Sequence, residues 1–269
     1  MSTEHLSPLR ADNLTLSYEK KVVARDLSVS IPEGKVTVII GPNACGKSTL
    51  LRTLSRLMQP QAGSVWLNGK MINEVPTKEV AKQLGLLPQS STAPGDITVA
   101  DLVARGRYPH QNLFSRWNAQ DTLAVDEAMR ATGVHELADR RVDNLSGGQR
   151  QRVWIAMVLA QQTPLLLLDE PTTWLDIAHQ IDLMELMCRL NRENNRTLVV
   201  VLHDLNHACR YAGHLIAMKD GKILAQGAPA DIVTPELIEA VFGLRCHIID
   251  CPVSHTPLII PLGHCESLS

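Results

Sequence analysis

A short apolar run that ends directly at a glycine-rich loop is the feature that most constrains how this chain can fold. Residues 36–40 form the run, which is typical of a buried strand, and the loop follows at once over residues 41–49. Leucines at positions 50, 51, 54 and 57 then have the spacing of a helix with one apolar face, predicted over residues 49–58. Strand, glycine loop and helix therefore follow one another without a break.

The loop has the glycine spacing of a phosphate-binding loop, or P-loop. Its residues are Gly41, Pro42, Asn43, Ala44, Cys45, Gly46, Lys47, Ser48 and Thr49. In this pattern successive backbone N–H groups and a helix N-terminus point at one anion. We expect the Lys47 amine to contact the β- and γ-phosphates of a nucleotide and the Ser48 hydroxyl to bind Mg²⁺. A plain glycine-rich turn before a helix is the alternative.

Charge and composition limit the classes of partner. The chain of 269 residues has 26 basic and 28 acidic residues and a formal net charge of -2, so nothing attracts it as a whole to nucleic acid or anionic lipid. Apolar runs such as residues 165–168, 198–202 and 258–260 fall far short of the ~20 residues of a membrane helix. The first six residues lack the pattern of a secretory signal, and the six cysteines form no CxxC pair. We expect a cytoplasmic protein with reduced thiols.

Apolar patterning along the chain predicts a mixed α/β fold. Strand-like runs at residues 14–18, 27–31 and 64–67, the last followed by the turn dipeptide Asn68-Gly69, predict an antiparallel β-region. A helix is predicted over residues 78–83, and a strand follows at residues 84–87. Helical patterns dominate residues 98–144, which we interpret as a helical insertion. Strands at residues 165–168 and 198–202 around a helix at 177–190 predict a parallel, doubly wound sheet, and a hairpin follows at residues 220–221.

Two acidic residues end the strand predicted at residues 165–168. In an open parallel sheet, strand ends deliver side chains to the ligand crevice, although two acids are often only a solvated strand end. Together with the P-loop, Asp169 is the expected acid on the side of Mg²⁺. Glu170 is the expected general base for attack of water on the γ-phosphate.

A second glycine-rich segment, here called the signature segment, precedes a helix predicted over residues 150–160. Its residues are Leu145, Ser146, Gly147, Gly148 and Gln149. Ser146 is a natural N-cap, and the glycines leave backbone N–H groups uncovered at the positive end of the helix dipole. Since the P-loop already holds one triphosphate, this second anion site makes physical sense if it closes on a nucleotide held by another subunit.

Taken together, these motifs resemble the ATP-binding subunit of an ABC transporter over nearly the whole chain. The resemblance implies a P-loop NTPase (RecA-like) α/β core with a parallel sheet, an antiparallel β-subdomain and an inserted α-helical subdomain. It divides one domain, residues 1–269, into a core of residues 1–90 and 161–269 and a helical subdomain of about 91–160. It implies ATP and Mg²⁺ as cofactors and a head-to-tail homodimer in which each signature segment completes the partner's ATP site.

Individual residues take roles from the same resemblance. Tyr18 resembles the aromatic residue that stacks on adenine, Gln89 the glutamine of the Q-loop, and Asp176 the aspartate of the D-loop. His203, which follows the strand at residues 198–202, resembles the switch histidine that contacts the γ-phosphate. The implied Mg²⁺ ligands are Ser48, Gln89 and Asp169, and the implied catalytic residues are Lys47, Glu170 and His203.

The cargo is inferred from resemblance alone. Residues 103–110 resemble importers of ferric siderophores, haem and vitamin B12, and residues 155–161, 171–176 and 203–206 are most similar to ferric enterobactin and other catecholate siderophore systems. This implies a peripheral protein on the cytoplasmic face of the inner membrane. Its partners would be integral membrane permease subunits and, through them, a periplasmic siderophore-binding protein. Gln89 and residues 94–110 would form the groove for a permease helix.

Other functions stay open as alternatives. Haem or vitamin B12 as cargo would use the same mechanism. A soluble ABC ATPase acting on nucleic acid or ribosomes is disfavoured by the lack of a long coiled-coil insertion, a second cassette and a basic balance. An iron-sulfur assembly ATPase would have no use for the permease-contacting segment.

Several residues invite a second interpretation. His203 and His207 have the i, i+4 spacing of metal ligands on a helix, but the residues between them make no zinc-protease motif, and the switch role is preferred. Cys45 lies inside the P-loop, where an oxidant or alkylating reagent could block nucleotide binding. Ala44 stands where the family usually has glycine, at a cost of roughly 1 kcal/mol if φ is positive there. Trp174 makes the D-loop bulkier than usual.

A last cluster lies near the end of the sequence. The residues are Cys246, His247, Cys251, His255, His264 and Cys265. Such soft ligands suit a metal, but their spacing matches no zinc pattern, so free side chains are the preferred interpretation.

Overall fold

Two units make up the chain, one formed by Met1–Ile72 with Val199–Ser269 and the other by Asn73–Leu198. The computed structural model describes residues 7–18, 21–89, 92–111 and 117–262. The boundary between the units falls inside one strand, Thr197–Val201. None of the helices in these ranges is long and apolar enough to cross a membrane.

The strands and helices are numbered in chain order. The strands are β1 (Leu9–Tyr18), β2 (Lys21–Ile31), β3 (Val36–Ile40), β4 (Ala62–Leu67), β5 (Lys70–Met71), β6 (Leu84–Leu87), β7 (Leu165–Asp169), β8 (Thr197–Val201), β9 (His214–Lys219), β10 (Lys222–Gly227), β11 (Cys246–Asp250) and β12 (Pro257–Pro261). The helices are α1 (Lys47–Leu54), α2 (Thr77–Gln83), α3 (Val99–Ala104), α4 (Ala119–Ala131), α5 (Gly147–Ala160), α6 (Ile177–Asn194), α7 (Leu205–Tyr211), α8 (Pro229–Ile232) and α9 (Pro235–Phe242). Short 3₁₀ turns span Arg105–His110, His135–Leu137 and Val142–Asn144.

In the first unit, an antiparallel sheet has the strand order β2-β1-β4-β5. This is the predicted antiparallel β-region, and its strands β1 and β2 are longer than the apolar runs suggested. Asn68 and Gly69 join β4 to β5 with φ values of 48° and 77°. Both values are positive, as a two-residue hairpin turn that follows the twist of its strands requires.

The first unit also holds the strand that carries the P-loop. β3 is buried along its whole length and pairs in parallel with β9, while β10 pairs antiparallel with β9 as the predicted hairpin. The backbone N–H of Leu202, just after β8, donates to the carbonyl of Ile39 in β3 over 3.3 Å. The carboxyl end of β3 therefore delivers Gly41 directly into the loop.

In the second unit, β6 and β7 form a parallel pair, and Leu84 lies opposite Leu165 at its start. All five residues of β7 are buried, so the strand ends at a buried carboxylate, Asp169. Helices α3, α4 and α5 pack on one another, and the described parts of this region, residues 98–111 and 117–144, contain helices, turns and one isolated bridge between Thr98 and Arg141. The predicted fold class, a P-loop NTPase α/β core with added β and helical regions, is confirmed.

The predicted helix over residues 49–58 was wrong at its end, because α1 stops at Leu54. The backbone N–H groups of Leu57 and Met58 both donate to the carbonyl of Arg52, over 2.9 and 3.1 Å, and Arg56 between them has a positive φ of 64°. Chain reversal therefore replaces the last helical turn, and Leu57 is exposed. Apolar spacing cannot detect such a turn, since it continues past the residue where the backbone leaves the helix.

Candidate functional site

The P-loop forms a cradle whose lysine is held along the loop itself. The buried Lys47 amine donates to the carbonyl oxygens of Gly41 over 2.8 Å and Pro42 over 2.9 Å. Gly46, the N-cap of α1, has φ 107°, and no side chain in the described ranges caps the helix. The N-terminal end of α1, where the positive end of the helix dipole favours an anion, therefore lies at the loop.

Two positions in the loop have unusual backbone requirements. A Cβ on Gly41 would lie 2.2 Å from the backbone oxygen of Met218, so only glycine fits between the loop and β9. Ala44 has φ 61°, which is the left-handed region where a methyl group costs roughly 1 kcal/mol. The strain foreseen for this alanine is therefore present in the folded loop.

Cys45, the P-loop residue whose modification could block nucleotide binding, is a buried thiol. Its carbonyl accepts a hydrogen bond from the backbone N–H of Gly221 over 3.1 Å, which fixes the loop against the β9–β10 turn. Burial raises the pKa of the Cys45 thiol, and the neighbouring Lys47 only partly opposes this effect. Since the thiolate is the reactive form, Cys45 is poorly reactive in the folded protein.

The suggested i, i+4 histidine pair was wrong. His203 lies exposed in the bend between β8 and α7, one residue before the N-cap of the helix. That N-cap is Asp204, whose carboxylate accepts the backbone N–H of His207 over 2.7 Å. His207 is inside α7 and His203 is not, so the two side chains share no helix face.

The cysteine and histidine cluster near the end of the sequence is only partly described, because His264 and Cys265 lie outside the described residues. Its other members lie in or beside the β11–β12 hairpin. Within the described ranges, no three His, Cys, Asp or Glu side chains group to hold a metal ion, and the described cysteines are free thiols. Tyr18 is the last residue of β1, and its side chain is likewise outside the description.

The second unit brings together the acidic strand end and the predicted Q-loop glutamine. The Gln89 amide nitrogen donates to a carboxylate oxygen of Glu170 over 2.8 Å, although 81 residues separate them in sequence. Glu170 directly follows β7 and has φ 52°, a strained conformation for a residue with a side chain. Asp169 beside it is almost completely buried. The strand end therefore presents a buried carboxylate and a second one oriented by an amide.

The signature segment begins α5 with a reciprocal cap, as predicted for Ser146. The Ser146 hydroxyl accepts the backbone N–H of Gln149 over 3.2 Å, and the Gln149 side chain accepts the backbone N–H of Ser146 over 3.1 Å. A Cβ on Gly148 would lie 3.3 Å from a methyl group of Leu175. The segment is thus rigid and exposes the N–H groups of Gly147 and Gly148 at the helix N-terminus.

The predicted D-loop is held beside the signature segment within the same unit. Asp176 is the N-cap of α6 and accepts the backbone N–H of His179 over 2.9 Å. This bond, together with the His179 side chain, lowers the pKa of Asp176. Trp174 has φ 69° and is 81% exposed, so a large indole projects into solvent.

Near the helical region, the 3₁₀ turn Arg105–His110 borders an open cleft of about 620 Å³. The cleft is lined by Asp101, Ala104, Arg105, Tyr108, Gln111 and Trp117. It overlaps the groove predicted over residues 94–110, but Gln89 is not among its lining residues. It combines both signs of charge with two exposed aromatic rings.

Three polar contacts of this unit were missed by the sequence analysis. Besides the Gln89 bond, the Gln151 amide donates to the carbonyl of Pro171 over 3.1 Å and so joins α5 to the segment after β7. Arg107 forms a buried ion pair with Asp121 over 2.9 Å. No periodic pattern marks these residues, because each contact joins segments that only the fold brings together.

Comparison with known proteins agrees with these motifs. Residues 24–173 match the family model described as ABC transporter. The ferric enterobactin transport ATP-binding protein of Escherichia coli (strain K12) is 66% identical over 261 residues, which cover 97% of this chain and 96% of the relative.

Solved structures give the same assignment. An ABC transporter assigned to the metal-chelate type, in an inward-facing conformation, aligns with a TM-score of 0.81 at 28% identity, over 96% of this chain and 98% of that one. A dimeric ATP-binding cassette in a post-hydrolysis state, bound to ADP and phosphate, aligns with a TM-score of 0.73 at 28% identity, over 82% and 98%. The chain therefore belongs to the ABC transporter family, as one of its ATP-binding and ATP-hydrolysing members.

Proposed function

We propose that this protein hydrolyses ATP to drive import of a ferric siderophore through a membrane permease. The observation that carries the cargo is the 66% identity, over nearly the full chain, to an E. coli protein of ferric enterobactin transport. Two copies would work as a homodimer on the cytoplasmic face of the inner membrane. A periplasmic siderophore-binding protein would deliver the cargo to the permease.

The P-loop would hold the phosphates of ATP. The N-terminal end of α1 and the Lys47 amine supply positive charge, and Lys47 would exchange its carbonyl partners for phosphate oxygens. His203, exposed after β8, would contact the γ-phosphate, and Tyr18 would stack on adenine. We propose that residues 1–90 and 161–269 form this nucleotide-binding core, with about 91–160 as the helical subdomain.

The strand end after β7 would supply the acid and base. A hydroxyl, a carboxamide and a carboxylate, from Ser48, Gln89 and Asp169, are the hard oxygen ligands that suit Mg²⁺. When bound, Mg²⁺ neutralises charge on the phosphates. Glu170 would accept a proton from the attacking water, and the hydrogen bond from Gln89 orients its carboxylate.

The signature segment would close on the ATP of the partner subunit. It presents backbone N–H groups at the start of a capped helix. Because the P-loop would already bind the phosphates of this subunit's own ATP, the signature segment would serve a second nucleotide. The similar ATP-binding cassette that binds ADP and phosphate is a dimer, which supports a dimer for this chain as well. The exposed Trp174 beside this segment would be covered in the dimer.

A permease segment would occupy the cleft beside α3. Its aromatic rings and its charges of both signs suit a short amphipathic helix with polar ends. ATP that bridges two subunits favours the closed dimer by its differential affinity, and hydrolysis removes that bridge. Movement of the second unit would then be passed to the permease.

The cargo is tested by uptake in cells. Deletion of the gene should abolish uptake of ⁵⁵Fe-labelled catecholate siderophore, and the wild-type gene should restore it. Labelled haem and vitamin B12 serve as parallel cargoes. Unchanged siderophore uptake in a strain with no second importer, or loss of haem or B12 uptake alone, would refute the proposal.

The catalytic assignment is tested by Glu170→Gln in purified protein. This variant should bind ATP, lose turnover by at least about a hundredfold, and form an ATP-dependent dimer in size-exclusion chromatography. Glu193→Gln, an exposed change on α6, is the matched control and should keep wild-type turnover. Wild-type turnover in Glu170→Gln would show that another group acts as the base.

A further inference from the structure

Arg107 is a buried guanidinium with three acceptors. Its Nε donates to Asp121 over 2.9 Å, and its Nη1 donates to the carbonyl of Ala160 over 2.8 Å and to the side chain of Gln162 over 2.9 Å. Only 3% of the residue is exposed. The planar fork of arginine fits such a set of acceptors, which one ammonium group cannot reproduce.

These contacts converge on the C-terminal end of α5. The last carbonyls of a helix have no partner inside the helix, and positive charge there is favourable. Arg107 binds the carbonyl of Ala160, and the ring of His110 lies 2.8 Å from the carbonyl of Gln161. The Gln161 side chain in turn donates to the carbonyls of Ala81 and Leu84. Hydrogen bonds from Arg107, His110 and the Gln161 side chain therefore hold the C-terminal end of α5 in place.

The same helix starts at the signature segment. Its 14 residues make a rigid element of about 21 Å, with the capping box of Ser146 at one end and Arg107 at the other. A displacement imposed on its C-terminal end would be carried to the signature segment.

The 3₁₀ turn that contains Arg107 also forms part of the cleft. Arg105 and Tyr108 line the cleft, and Tyr108 is 75% exposed, while Arg107 between them faces inward. Gly106 packs so closely that a Cβ would lie 2.1 Å from the carbonyl oxygen of Met157 in α5. The 3₁₀ turn and α5 are therefore in direct contact, with no space between their backbones.

We infer that Arg107 is a positioning residue that couples occupancy of the cleft to the signature segment. A segment of the permease that presses on Tyr108 moves the 3₁₀ turn, and the buried fork transfers the movement to α5. Arg107 itself is buried and is not among the residues that line the cleft. The inference rests on the proposed function, because it needs a permease in the cleft.

The test separates coupling from ATP hydrolysis with Arg107→Lys, which keeps the charge and loses the fork. Purified variant should hydrolyse ATP within about twofold of wild type, while ⁵⁵Fe-siderophore uptake in the deletion strain falls roughly tenfold. Arg130→Lys is the matched control, since Arg130 forms an exposed ion pair with Asp126 over 2.8 Å on α4. The control should leave both rates unchanged at equal protein level.

The result that overturns the inference is a constant ratio of uptake to ATPase activity in a folded Arg107→Lys variant, whether both rates fall together or both stay at wild type. If Arg107→Lys is poorly folded, Gln162→Ala removes one acceptor only and must lower the same ratio. Failure of the proposed function is distinguishable, because deletion of the gene would then leave siderophore uptake unchanged. The coupling role would fall with it.

Discussion

Two aspartates of α4 allow the buried ion pair to be measured against an exposed one. Asp121 accepts from Arg107 over 2.9 Å with its side chain 4% exposed, whereas Asp126 accepts from Arg130 over 2.8 Å with 35% exposed. Asp121→Asn keeps the shape and leaves a buried guanidinium without its counter-ion. Breaking a buried pair in this way costs about 3–5 kcal/mol, and the lower end applies because the Asn oxygen still accepts a hydrogen bond.

The assay is thermal unfolding of the purified variants. At about 2 °C per kcal/mol for a chain of this size, Asp121→Asn should lower Tm by about 6 °C. Asp126→Asn should leave Tm unchanged within error, because water already screens that pair. Equal decreases in Tm for the two variants would refute the reasoning that burial makes the Arg107–Asp121 pair more important for stability than the exposed pair.

The pH dependence gives a second measurement of the same pair. Burial alone would raise the pKa of Asp121, but hydrogen bonds from Arg107 and the backbone of Asn118 lower the pKa below the ordinary 3.8. The folded carboxylate binds protons more weakly than the unfolded one, so its stabilisation is complete above pH 3.8 and is lost as the pH falls through its folded pKa. The Tm difference between wild type and Asp121→Asn should be constant near neutral pH and narrow below this value.

Three further changes test other parts of the fold. Ala44→Gly relieves the strain of the positive φ of 61° and should raise the free energy of unfolding by at most about 1 kcal/mol. The greater conformational entropy of glycine in the unfolded chain reduces this gain. A lower Tm in the variant would contradict the presence of strain at Ala44. Iodoacetamide should label Cys251, whose pKa is lowered by hydrogen bonds within its turn, before the buried Cys45, as followed by mass spectrometry; the reverse order would contradict the assignment. Gly106→Ala should destabilise by about 1–3 kcal/mol in denaturant unfolding, while Gly95→Ala, with no described atom within 4 Å of its added Cβ, should not; equal effects would argue against close packing at Gly106.

Local sequence patterns predicted several elements and one helix cap. The bounds of β3 and β6 match the predicted ones, and Ser146 caps α5 as its position before Gly147 indicated. Such features depend on residues within one or two turns of each other. Hydrophobic periodicity, glycine spacing and capping preference are local properties, and the linear sequence contains them in full.

Positive φ angles were less predictable. The strained conformations of Glu170 and Trp174 occur where no glycine marks them, and the surrounding structure holds each one in place. The same limit applied to α1. The leucine spacing continues to Leu57, although the helix ends at Leu54 and the backbone turns at Arg56. Propensity indicates what a residue favours and not what its neighbours impose.

The sequence by itself determined the family, the order of strand, P-loop and helix, and which acids and glycines are proposed to serve a nucleotide. Only the tertiary structure decided that Gln89 binds Glu170, that Cys45 is buried, and that Arg107 binds both Asp121 and the C-terminal end of α5. The physical reason is that these contacts join residues 14 to 81 positions apart. Their partners are selected by packing of the whole unit, which no local pattern records.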